Sequence, residues 1–406
     1  MRVQFPPSLL ATTFPTTTLG KVGLKDKKRK MNQEKKKFWI ATSILVGTCI
    51  GAGVLGIPYV AAQAGFFVAL AYILLIGAII LVVNLYMGEI ALRTKGEHQL
   101  IGYANRYLGK KGKKFMEFAT IFGIYAAIVA YMLGIGESIS FLIFGDSSYT
   151  TLFGVLFGVG MSGLLWRGLK ALKKYEKIGV SIILGLLLLI VILFFNKIQI
   201  ANLVYFNIGN VFLPFGVILF ALMSFHAIPE VEIVLGNKEK MMKRVLLFGT
   251  LISVVFYSLF ALVIVGFKGT QTPEIATLAL GVVFIFLGIF TMFTSWLALG
   301  NALEESFMFD ERFKKLKSWI FTTLIPILIF LIVRFFEFFS FTRILSIGGV
   351  FSGGLAAVLI LLMIKKAKKK GNRKPEYSLP VNWFIIGFLI LIFVLGVIRE
   401  LWLALG

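Results

Sequence analysis

Gly47-Thr48-Cys49-Ile50-Gly51-Ala52-Gly53-Val54-Leu55-Gly56-Ile57-Pro58 places four glycines and a proline inside an uncharged run of fifty-one residues, Phe38 to Gly88. In hydrocarbon an unpaired amide or carbonyl costs several kcal/mol, so a helix unwinds at membrane depth only where protein, water or a ligand takes over its hydrogen bonds. The chemistry on offer is non-covalent: freed N–H groups and carbonyls that hold something small and polar. A second such stretch, Phe220-Ala221-Leu222-Met223-Ser224-Phe225-His226-Ala227-Ile228-Pro229, carries one of only two histidines. An imidazole in a membrane faces a partner or a water-filled path, and its unperturbed pKa lies near neutrality. His226 is therefore either a proton carrier or a neutral group bonded to a freed carbonyl of the turn.

The elements that must position these breaks are membrane helices. The 406 residues are 58% hydrophobic and 15% aromatic, and several apolar runs exceed the roughly 20 residues that span a bilayer. Eleven spans are expected, near 38–65, 67–92, 117–144, 150–166, 178–195, 208–235, 245–267, 275–303, 319–336, 342–364 and 381–404. The net charge of +23 does not imply nucleic acid, because the basic residues sit in short loops rather than on a folded face. The single cysteine, Cys49, reads as a packing residue and excludes a disulfide framework.

With the amino terminus in the cytoplasm, thirty-seven of the forty-two Lys and Arg residues fall on the inner side, leaving Lys197, Lys268, Arg334, Arg343 and Arg399 outside. Short positive loops stay cytoplasmic, so the chain is expected to be N-inside and C-outside. Residues 1–37 read as a disordered basic arm, and Met31 resembles an ordinary start, which makes 1–30 an expected overlong gene call. Pro58 and Pro229 mark spans that run in opposite directions. That pattern predicts an inverted repeat, 38–195 and 208–364, followed by a basic loop at 365–380 and an eleventh helix at 381–406.

The Gly-Ala-Gly form at 51–53, the Pro58-Tyr59 that follows and the Phe225-His226 to Pro229 pattern resemble the amino acid, polyamine and organocation transporter superfamily. Within it they are most similar to the amino acid/auxin permeases and the aromatic amino acid permeases. The resemblance covers roughly 38–364. It implies an all-α, leucine-transporter-like 5+5 inverted repeat plus one helix, with discontinuous helices one and six. It also implies a multi-pass protein of the plasma membrane that moves amino acids, neutral or aromatic, by ion-coupled alternating access.

A zwitterion needs donors for its carboxylate and acceptors for its ammonium, and a broken helix supplies both. On this resemblance Thr48, Gly51, Ala52 and Gly53 hold the carboxylate side. Met223, Ser224, Phe225 and His226 face the ammonium and side chain, and Tyr131 lines the pocket. Close helix packing is the competing role for the glycines. Thr294 and Ser295 resemble the hydroxyl pair of a sodium site completed by the carbonyls of Gly47, Ile50 and Thr291, five neutral oxygens suited to a hard cation. Back-bonding to carbonyls one turn earlier is the competing role for such hydroxyls. His226 and Glu230 are the candidates for proton coupling. No resident cofactor is expected. An integral membrane enzyme acting on a lipid-linked substrate is the alternative, though no loop carries an acid/base or metal cluster.

Overall fold

The computed structural model describes residues 16–96, 98–167, 172–309 and 311–405, which are helical with no strand among them. In chain order the helices are α1 (Thr16–Cys49), α2 (Ala52–Ala64), α3 (Phe66–Leu92), α4 (Leu100–Phe144), α5 (Thr150–Arg167), α6 (Leu172–Phe194), α7 (Ile200–Leu203), α8 (Pro214–Leu222), α9 (Ile228–Leu235), α10 (Met242–Lys268), α11 (Val282–Phe309), α12 (Lys315–Phe336), α13 (Phe341–Gly348), α14 (Leu355–Lys370) and α15 (Trp383–Leu405). Among the described residues eight helices are long and apolar enough to cross a membrane, or nine when the bent pair α1–α2 counts as one span. The chain is a polytopic membrane protein. Helices α6 and α15 cover the sequence expected for spans five and eleven but are not among these eight.

Three helix starts differ most from the sequence expectation. Helix α1 extends upstream to Thr16, through a stretch expected to be disordered; its Lys, Gln and Glu residues are good helix formers. Residues 1–15 lie outside the described part. Helix α4 begins at Leu100 rather than 117, because the inter-span loop is itself largely helical up to Gly109, whose φ of 76° bends the helix. Helix α11 starts at Val282 instead of 275, after a 3₁₀ turn over Ala276–Ala279. A π-helical turn, Gly349–Gly354, joins α13 to α14.

Helix α2 packs on α8, and α1 packs on α9. The first half of one interrupted helix thus meets the second half of the other, so the two run antiparallel. Helices α3 and α10 enclose this pair, while α4 and α11 pack together beside α2. One apolar core runs through all of them, and large residues such as Phe67, Leu74, Ile192 and Phe335 point outward as a belt that lipid solvates. Ion pairs of the basic loops gather at one face, where Glu89 meets Arg93 and Lys368, and Arg373 meets Glu239.

Candidate functional site

The first break is short. Helix α1 ends at Cys49 and α2 starts at Ala52, leaving Ile50 and Gly51 unwound, and the two halves bend by 52°. Gly47 and Thr48 lie in the last turn of α1, where the Thr48 hydroxyl donates to the Ile44 carbonyl at 2.9 Å. Ala52 and Gly53 open α2. Pro58 lies inside α2 rather than at the break; its ring nitrogen donates no hydrogen bond, which frees the carbonyl of Val54.

The second break is longer. Helix α8 ends at Leu222, Met223 and Ser224 follow, and Phe225–Ala227 form one 3₁₀ turn before α9. Pro229 stands in the first turn of α9, where a missing N–H costs nothing, and Glu230 shares that turn, where a carboxylate suits the helix dipole.

Tyr257 of α10 joins the two breaks, and sequence reasoning missed it. Its hydroxyl lies 2.7 Å from the Cys49 carbonyl and 3.0 Å from the Ala221 carbonyl, at the C-terminal ends of α1 and α8. A hydroxyl has one proton, so one of the two carbonyls always keeps unused accepting capacity. Two negative helix ends thereby converge on a buried point that favours a cation. An amphipathic residue in an apolar span has no sequence signature of its own, and only the fold reveals the contact.

Gly51, Tyr131 and Ser295 come together, although eighty residues or more separate them in sequence. A Cβ built on Gly51 would lie 2.9 Å from the Tyr131 hydroxyl and 3.1 Å from Ser295 Oγ. The Thr294 hydroxyl lies 3.0 Å from both the Phe290 and Thr291 carbonyls, which share its one proton, and Thr291 donates to the Gly288 carbonyl at 2.8 Å. Hydroxyls engaged in this way keep lone pairs free. Ser295 brings α11 against the first break, while the back-bonding of Thr294 is the role that competes with ion binding for such hydroxyls.

Gly53 has a different neighbour. A Cβ there would come 2.7 Å from Cα and Cβ of Ala221, so this glycine permits the close approach of α2 and α8. Gly53→Ala is expected to cost about 1–3 kcal/mol of stability through overpacking against backbone, whereas Gly51→Ala meets only movable side-chain ends. Thermal unfolding of the two variants checks this, and equal stability would remove the packing role from Gly53.

The other candidates divide. Phe225 is fully buried, with its ring centroid 4.7 Å from that of His226. His226 follows Phe225 in the 3₁₀ turn of the second break. The Met223 sulfur packs on Gly353 of the π turn. Tyr125, a second tyrosine near the middle of the same span that the sequence offers as a weaker pocket candidate beside Tyr131, donates to the Phe321 carbonyl at 2.7 Å.

Toward the basic face, Glu89 is completely buried and accepts from Arg93 Nε at 2.9 Å, Ser378 Oγ at 3.0 Å and the Leu379 amide at 2.8 Å, with Lys368 Nζ at 3.1 Å. The segment 371–382 is thereby strapped across the end of α3, and Tyr377 donates to the Leu85 carbonyl at 2.6 Å. The Glu239 carboxylate beside Arg373 holds that guanidinium further above its usual range. Among the described residues no group of His, Cys, Asp and Glu could hold a metal.

The profile of the tryptophan/tyrosine permease family matches residues 34–277, which include both breaks and Tyr257. The chain is 26% identical over 227 residues to the tyrosine-specific transport system 1 of Haemophilus influenzae, a match spanning 55% of this chain and 56% of that protein. It is 23% identical over 364 residues to glutamine transporter 2 of Aliivibrio fischeri, covering 85% of this chain and 93% of the relative.

Proposed function

Because the chain belongs to the tryptophan/tyrosine permease family, we propose that it is a secondary active transporter of amino acids, neutral or aromatic, working by ion-coupled alternating access. The family consists of permeases, so the reading as an enzyme on lipid-linked substrates is set aside. The observation that carries the proposal is the pair of antiparallel interrupted helices whose carbonyl ends meet at Tyr257. Relatives named for tyrosine and glutamine support a substrate with an uncharged side chain.

In this reading the substrate carboxylate lies at Gly51, Ala52 and Gly53 beside Thr48, and Tyr131 closes that side. The ammonium faces the carbonyls of Met223, Ser224 and Phe225. The coupling ion is sodium, held by the carbonyls of Gly47, Ile50 and Thr291 with the Thr294 and Ser295 hydroxyls, or a proton carried through His226 or Glu230. The same reading takes eleven spans, with repeats 38–195 and 208–364 and one added helix, and puts the amino terminus in the cytoplasm and the carboxyl terminus outside the plasma membrane on the strength of the positive inner loops. Purified protein in liposomes is expected to accumulate a radiolabelled neutral or aromatic amino acid under an inward sodium or proton gradient. Failure with all amino acids under both gradients would overturn the proposal.

A further inference from the structure

Asn84 of α3 is a buried amide that none of the roles above uses. Its side chain is wholly buried, and its nitrogen donates to Ser224 Oγ at 2.8 Å and to Thr250 Oγ1 at 3.3 Å. The amide oxygen has no partner. Ser224 belongs to the second break and Thr250 to α10, and Cys49, the last residue of α1, lies with its sulfur 3.9 Å from the Leu222 carbonyl. Four elements therefore meet at one buried polar cluster made of neutral groups: Asn84, Ser224 and Thr250 with Cys49.

An unpaired amide oxygen at full burial is rare, because the group forfeits its hydration without replacement. Turning the amide over would pair the oxygen with the two hydroxyls and orphan the nitrogen instead, so one end lacks a partner in either orientation. The surroundings choose between them. The Leu222 carbonyl lies 3.9 Å from the Cys49 sulfur, and the ends of α1 and α8 that meet here, at Cys49 and Leu222, are C-terminal and carry partial negative charge. Their potential favours a positive guest, which needs the oxygen free. The hydroxyls of Ser224 and Thr250 keep lone pairs while they accept from the amide, and can complete a cage of neutral oxygens.

We propose that Asn84 is a ligand-binding residue whose amide oxygen, with Ser224 and Thr250, takes a monovalent cation: the ammonium group of the substrate or an alkali-metal ion. This site is built from α3, α10 and the second break rather than from the hydroxyl pair of α11, and its assignment rests on the transport reading. Asn84→Leu removes the acceptor at similar volume, and Asn84→Asp keeps an acceptor and adds charge.

The test is liposome uptake of tyrosine or glutamine, whichever the wild type accumulates, with competition by the corresponding deaminated acid, hydroxyphenylpropionate or glutaramate, and titration of sodium and potassium. If the guest is the ammonium, Asn84→Leu weakens the amino acid about tenfold relative to its deaminated acid, while Asn84→Asp retains or raises that preference. If the guest is an alkali ion, the preference stays constant and the half-saturating sodium or potassium concentration rises in Asn84→Leu. Unchanged preference together with unchanged ion dependence in both variants overturns the proposal and leaves Asn84 as a packing amide. Should Asn84→Leu fail to fold, Asn84→Asp decides on the same two readouts. Absence of wild-type uptake would instead defeat the transport reading itself.

Discussion

Tyr257→Phe is expected to lower amino acid uptake about 5- to 150-fold with little loss of folded protein. The ring of Tyr257 is fully buried, and phenylalanine fills the same volume, so packing in α10 is retained. What disappears is one hydroxyl proton shared by the Cys49 and Ala221 carbonyls. A buried acceptor left without a partner costs about 1–3 kcal/mol, which converts to the stated range in a rate or binding constant. The loss falls on the end of α8, because the Cys49 carbonyl keeps the Gly51 amide at 2.9 Å whereas the Ala221 carbonyl loses the hydroxyl. Initial uptake rates, normalised to protein recovered as a monodisperse peak, provide the measurement. Wild-type rates in Tyr257→Phe would take the hydroxyl out of the site.

The two breaks were legible because glycine and proline are the residues that a membrane helix tolerates only for a reason. Their exact chemistry was less so. Pro58 drew attention to the right region but stands inside α2, and the unwound residues are Ile50 and Gly51. Gly51 and Gly53 look alike in sequence, yet one faces Tyr131 and Ser295 and the other the Ala221 backbone. Helix arithmetic at about 100° per residue separates Tyr125 from Tyr131 by about 120°, so the two tyrosines never shared a face. Asn84 and Tyr257 carried no local signal. Each is a single polar residue in an apolar helix, and its partners are 36 to 208 residues away along the chain. Tertiary pairing alone decides whether such a residue is buried, bonded or facing a path.

Glu89→Ala is expected to be among the most destabilising single changes, by about 3–5 kcal/mol, because it leaves buried donors and two cations without their carboxylate. Arg93, Lys368, Ser378 and the Leu379 amide all converge on Glu89, whose side chain is inaccessible to solvent. Salt screens such a buried cluster little, so the cost persists at high ionic strength. The same change loosens the 371–382 strap, since two of its anchors, Ser378 and Leu379, bond to Glu89 directly. Arg373, otherwise tied to Glu239 and Glu376, then becomes a site for trypsin. Glu311→Gln is the internal comparison: its pair with Lys113 is partly exposed, and removing it costs about 0–1 kcal/mol. Thermal unfolding and limited trypsin digestion of both variants make the measurement. Matching melting curves, with no faster cleavage after Arg373 in Glu89→Ala, would mean that the strap is held by Tyr377 and Asn372 rather than by the carboxylate beneath it.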